Sequence, residues 1–197
     1  MSRVLPILFN TEMVQAILDG GKTVTRRILK HDTRALLNSP YCKTHPEVPD
    51  KQIIEKLCKS PYEQGDVLYV RETWNWYNEC GNKSYIYCAD YREEHRSGYW
   101  KPSIHMPKEA ARIFLKVKDV RVERLQDITD EDAYREGAGD KDVIYQTGAR
   151  VLEFAKIWDS TIKKSDMEKY GWNANPWVWV IKFERCEKPE GGNEKRD

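Results

Sequence analysis

Long apolar runs are missing from this sequence. Nothing in it approaches the roughly 20 apolar residues that a helix needs to cross a bilayer, which excludes a membrane-spanning helix. The opening MSRVLPILFN has no long apolar region and no small-residue cleavage site, so no signal peptide is expected. An excess of one charge is missing too. Lys+Arg number 33 against 32 Asp+Glu, for a net charge of +1. A global polyanion-attracting field is thereby excluded, and any nucleic-acid site must come from local clustering. The five cysteines, Cys42, Cys58, Cys80, Cys88 and Cys186, are odd in number and irregular in spacing. That argues against a disulfide framework or a zinc motif and for reduced thiols in a cytoplasm. No glycine-rich phosphate loop follows a strand, so no nucleotide cofactor is expected, and there is no internal repeat. What the chain does have is polarity and aromatics. Its mean hydropathy is -0.79, 33% of it is charged, and seven Trp and eleven Tyr are available for its core.

The local patterns predict about six strands and three helices. Pro6–Phe9 reads as a first strand. Asn10 or Thr11 can cap a helix whose apolar face is Met13, Ile17 and Leu18, ended by Gly20-Gly21. Further strands are predicted over Thr23–Leu29, Val67–Glu72, Ser84–Tyr91, Ile113–Leu125 and Pro176–Cys186. Thr129-Asp-Glu-Asp132 is a capping-box sequence that opens a helix through Glu136, closed by Gly137. Apolar spacing predicts another helix over 149–163. Residues 30–64 read as a surface insertion with a short helix at Gln52–Cys58; 73–83 reads as an aromatic loop and 92–111 as irregular. Short strands with helices between them point to an α+β, mainly β class: one domain over 1–188, built on a small closed or half-closed barrel, with insertions at 30–64 and 73–111 and a disordered tail over 189–197.

Chemistry concentrates in Gly20-Gly-Lys-Thr-Val-Thr-Arg-Arg27. Lys22, Arg26, Arg27, Lys30 and Arg34 stand against a lone Asp32 in residues 22–34, a local excess that can attract phosphate. A solvated basic strand edge that resists aggregation is the competing reading. Lys22 and Thr25 invite a sharper one. A hydroxyl attacks an amide only if a base takes its proton, and an amine depressed by burial and neighbouring cations can serve. Strand alternation sends residues 22 and 25 to opposite faces, so they converge only if Lys22 lies in the turn before the strand. Arg26 and Arg27 are candidate ligand-binding residues beside them. Trp74, Trp76 and Tyr77 follow Arg71-Glu72, and Trp100 precedes Ser103-Ile-His105. Aromatic faces near Arg can stack a base or can simply pack. Glu72 can read an exocyclic amine or pair with Arg71, and His105 can transfer a proton or be an ordinary loop histidine. Trp172, Trp177 and Trp179 are expected to pack the barrel.

Gly20, Lys22, Thr25 and Arg27 match the G-x-K-x-x-[E/T]-x-R signature of the ASCH family, a PUA-like superfamily. The resemblance extends to Gly65-Asp66-Val-Leu, GDVLYVRETWN, Pro102–Pro107, Val120–Gly137 and Pro176–Glu184, and the chain is similar to the larger phage- and prophage-associated members. The resemblance implies a PUA-like barrel, a cleft lined by the signature and a nucleic-acid-linked role. Threonine at position 25 resembles the small bacterial members that hydrolyse N4-acetylcytidine. It implies Thr25 as nucleophile, Lys22 as general base and Glu136 as third member. Arg26, Arg27, Glu72, Trp74, Ser103 and His105 are the candidate substrate-binding residues. Three functions follow: amide hydrolysis on a modified nucleobase, a non-catalytic RNA- or DNA-binding module, or a ribonuclease. The partner in each case is a modified nucleoside or a single strand, with no metal, cofactor or membrane.

Overall fold

The structure, a computed structural model, describes residues 2–91, 96, 98–139 and 146–189. Its class is α+β, as expected: a five-stranded sheet, a two-stranded sheet and several short helices. Among the described residues the strands are β1 (Val4–Leu8), β2 (Val24–Ile28), β3 (Val67–Arg71), β4 (Trp74–Glu79), β5 (Asn82–Tyr87), β6 (Phe114–Arg124) and β7 (Trp177–Cys186). The larger sheet runs β1-β3-β6-β7-β2, and β4 with β5 makes the smaller one. The helices are α1 (Thr11–Leu18), α2 (Thr33–Leu37), α3 (Pro40–Thr44), α4 (Asp50–Leu57), α5 (Asp130–Arg135), α6 (Ala149–Thr161) and α7 (Met167–Tyr170). No helix among the described residues is long and apolar enough to cross a membrane.

Two compact units divide the chain. One holds residues up to Gly20, Gln64–Lys118 and Phe183 onward; the other holds Gly21–Glu63 and Asp119–Lys182. In the first, β1 and β3 pair in parallel and β3 pairs antiparallel with the start of β6. Its apolar cluster is Trp74, Met106, Ala110, Ala111 and Phe114. In the second, β2 pairs antiparallel with β7, Thr25 opposite Ile181 and Arg27 opposite Trp179. Val24, Val178 and Val180 turn to the other face and pack with Leu125, Ala133, Phe154 and Trp158 from the strand end and helices α5 and α6.

Three sequence expectations need correction. Residues 73–83 are not a loop: Trp74–Glu79 is a strand, which raises the strand count to seven. The hairpin closes through Cys80 and Gly81, both at positive φ (50° and 88°), the two-residue turn whose twist matches paired strands. The following strand accordingly begins at Asn82, and Cys88–Asp90 is a 3-10 turn instead of strand. Residues 30–64 hold three short helices, not one, with Asp32 and Ser39 accepting hydrogen bonds at the starts of α2 and α3. Part of the 92–111 stretch and the tail beyond residue 189 lie outside the described residues.

Candidate functional site

Glu136 is placed by the end of α5. Thr129 caps the helix start, its hydroxyl accepting from the Asp132 amide at 3.1 Å. At the other end Gly137 takes φ 91°, the Gly137 amide donates to Tyr134 O at 2.8 Å and the Ala138 amide to Ala133 O at 3.0 Å. These two bonds form the Schellman motif that a left-handed glycine allows. The turn leading into β2 is tied to the same place, because the Thr23 amide donates to Arg135 O at 2.9 Å. Lys22 therefore sits just before the strand and not in it, so strand alternation does not govern its amine.

The Lys22 side chain has no exposed surface. Its ammonium donates to Val24 O at 2.9 Å, to Glu136 O at 2.6 Å and to Glu136 Oε2 at 2.8 Å. Glu136 thus offers one amine both a backbone and a side-chain acceptor. Its other oxygen, Oε1, accepts from Arg26 Nη1 at 3.2 Å. Arg26, also without exposed side-chain surface, reaches Glu123 at 3.2 Å and Asp132 at 3.6 Å through Nη2, and its guanidinium carbon lies 5.9 Å from the centre of the Phe154 ring. Two cations and three carboxylates form one network. Burial pulls the Lys22 amine below its ordinary value; Glu136 opposes that pull, and Arg27 and Arg26 add to it. The two carbonyls accept from Lys22 in either protonation state. The Glu136 carboxylate is therefore the contact among these three across which a proton can move.

Thr25 is buried, and its place opposite Ile181 puts it on the Arg27 face of β2, away from Val24 and Arg26. The structure brings Lys22, Arg26 and Glu136 together. The Lys22 bonds to Val24 O and to Glu136 do not involve Thr25.

A cleft of about 620 Å³ lies against the same strand, wholly within the second unit. Arg26, Arg27, Lys30, His31 and Lys59 line it together with Tyr62, Trp158 and Trp179, and no carboxylate is among its described lining residues. Lys22, Thr25 and Glu136 are not in its wall. Burial lowers the Arg27 guanidinium, against Glu136 and Tyr62, and raises the Tyr62 phenol, against Arg27. Lys59, Tyr62, Trp158 and Trp179 escaped the sequence reading as site residues. The only signal available was that 30–64 is long enough to fold back over the basic strand.

Glu72, Trp74, Ser103 and His105 belong to the first unit. The partner of Glu72 is Arg112, not Arg71. Arg112 Nε and Nη2 donate to the two carboxylate oxygens at 2.9 and 3.0 Å, and Nη1 reaches Asp90 at 2.7 Å. Arg71 instead donates to Ile104 O. Burial pushes the Glu72 carboxyl up, against the pull of Arg112. Trp74 is buried core, 5.8 Å from the Tyr85 ring. Ser103 and His105 bracket a single 3-10 turn. Among the described residues no group of three or more His, Cys, Asp or Glu is placed to hold a metal ion.

No family model and no curated protein matches the chain. Solved structures similar to it include an ASCH domain from Lactobacillus crispatus, 10% identical over 93% of this chain and 79% of that one, with a TM-score of 0.40. Another is the hypothetical protein PH0355, 14% identical over 93% and 99% of the two chains, at a TM-score of 0.39. A third is protein EF3133 from Enterococcus faecalis, of family DUF984, 10% identical over 94% and 77%, at a TM-score of 0.44.

Proposed function

We propose that the cationic cleft of the second unit binds single-stranded nucleic acid, one phosphate against Arg27, Lys30 and Lys59 and its base beside Tyr62. The observation that carries this reading is the sign of the lining: its charged side chains are all cationic, in a chain whose net charge is only +1. A guanidinium fork suits phosphate oxygens. A half-buried phenol offers a ring face on which any base can stack, for about 1–3 kcal/mol. The volume suits a nucleotide-sized ligand. The test is fluorescence anisotropy of a labelled single-stranded oligonucleotide across a salt series. Binding that ignores salt, or that survives Arg27→Ala with Lys30→Ala unchanged, would sink the proposal.

A second reading is amide hydrolysis on a modified base such as N4-acylcytidine. It draws on the buried 2.8 Å contact between Lys22 and Glu136 and on the downward shift of the amine. With its amine neutral, its extra proton having passed to Glu136, Lys22 exchanges one acceptor for the Thr25 hydroxyl and takes its proton. The Thr25 oxygen bonds to the acyl carbon, the carbon–nitrogen bond breaks, and the proton passes to the leaving cytosine amine. Water then cleaves the threonine ester, releasing the acid and restoring the hydroxyl. Glu136 supports the amine as the proton moves.

A further inference from the structure

A second cleft, of about 430 Å³, lies in the same unit, and His31 belongs to the walls of both. Its lining differs in kind. Arg34, Arg124 and Lys169 are accompanied by Asp32 and Glu168. Arg124 covers the Trp177 ring, its guanidinium carbon 4.4 Å from the ring centre, and donates to Asn175 O at 3.1 Å. Trp177 lines this cleft too; its indole nitrogen is buried and has no hydrogen-bond partner. A buried donor without an acceptor is costly, and a ligand oxygen or ring nitrogen is one way to relieve it.

We propose that this second cleft is a base subsite for the neighbouring nucleotide of the same strand, so that the ligand is an oligonucleotide and not a free nucleoside. The inference rests on the cleft reading above. Asp32 and Glu168 set this cleft apart from the first, whose charged lining is cationic alone. A base with an exocyclic amine suits those carboxylates, and its ring acceptor suits the Trp177 donor. Finally, the chain leaving β2 runs from one cleft to the other: Arg27 and Lys30 line the first, His31 both, and Arg34 the second. The basic run in residues 22–34 thereby acquires a role for its last member, which the first cleft leaves unused.

Calorimetric titration of the whole chain with cytidine monophosphate and with hexacytidylate separates the two ideas. Arg34 and Lys169 are exposed, so Arg34→Ala/Lys169→Ala leaves the core intact. Exposed Lys51 and Lys164, in neither cleft, provide the charge-matched control Lys51→Ala/Lys164→Ala. Two linked subsites make hexacytidylate bind about tenfold or more tighter than the mononucleotide. The second-cleft variant is expected to lose most of that gain, beyond the loss in the control, with mononucleotide affinity retained. A hexacytidylate loss no greater than the control's overturns this inference and leaves the first cleft standing. Failure of the wild-type chain to bind either ligand overturns both.

Discussion

Glu136 holds Lys22 and Arg26 at once, one carboxylate oxygen to each, at 2.8 and 3.2 Å, with all three side chains buried. A charge in such a place is stable only through its partners. Glu136→Gln is therefore expected to destabilise the fold by about 3–5 kcal/mol, because two cations lose a shared counter-ion, whereas Lys22→Met with Glu136→Leu together costs much less. Urea unfolding monitored by tryptophan fluorescence compares the two.

The lowered Lys22 amine also predicts a pH effect. In the unfolded chain it keeps its ordinary value of 10.5; in the folded chain it releases its proton at lower pH. Between those two points the unfolded state binds more protons, so stability rises with pH across that window and the gain is complete above 10.5. Lys22→Met lacks this contribution. The difference in unfolding free energy between wild type and variant is expected to grow in favour of the wild type as pH climbs through the window. A flat difference would mean that the amine titrates normally.

In the cleft, charge and ring are expected to behave differently. Removing Arg27 and Lys30 together lowers the dependence of log affinity on log salt by about 0.7, the value for one lost single-strand phosphate contact. Tyr62→Ala weakens binding by about 1–3 kcal/mol and leaves the salt slope alone, and Tyr62→Phe keeps the affinity. Anisotropy at four salt concentrations distinguishes these patterns.

Hydrolysis rests on one oxygen. On the hydrolytic reading, an alternative to oligonucleotide binding, wild-type protein incubated with N4-acetylcytidine releases cytidine, seen by chromatography. Thr25→Ala is expected to abolish release and Thr25→Ser to retain part of it. Turnover at the wild-type rate in Thr25→Ala excludes the threonine as nucleophile.

The β4–β5 hairpin carries a non-glycine residue, Cys80, at φ 50°. A side chain there strains the backbone unless it is Asn or Gly. Cys80→Asn is expected to stabilise the protein by about 1 kcal/mol, or about 2–4 °C in Tm by calorimetry.

Local signals were readable in the sequence where one residue's chemistry decides the outcome. Thr129 and Gly137 bounded α5, Asn10 capped α1, and the alternation in 113–125 and 176–186 marked the two long strands. Lys22 and Glu136, 114 positions apart, could be joined only through the family resemblance, and the structure places them in contact. Partners chosen by tertiary packing left no local trace. Arg112 lies 40 residues from Glu72, so Arg71 next door looked like the natural partner. The turn at Cys80-Gly81 escaped because cysteine is not a usual turn residue. Lys59 and Tyr62 were hidden because three short helices, not a loop, bring them to β2.

Adjacent arginines in β2 have separate tasks: Arg26 is enclosed among Glu123, Asp132 and Glu136, while Arg27 shares its face with Trp179. A slip of β2 by one residue that brought Thr25 to the Arg26 position would leave three acids facing a threonine and carry Arg26 to the Trp179 face. The network thus doubles as an alignment key against that mispairing of this border strand with β7.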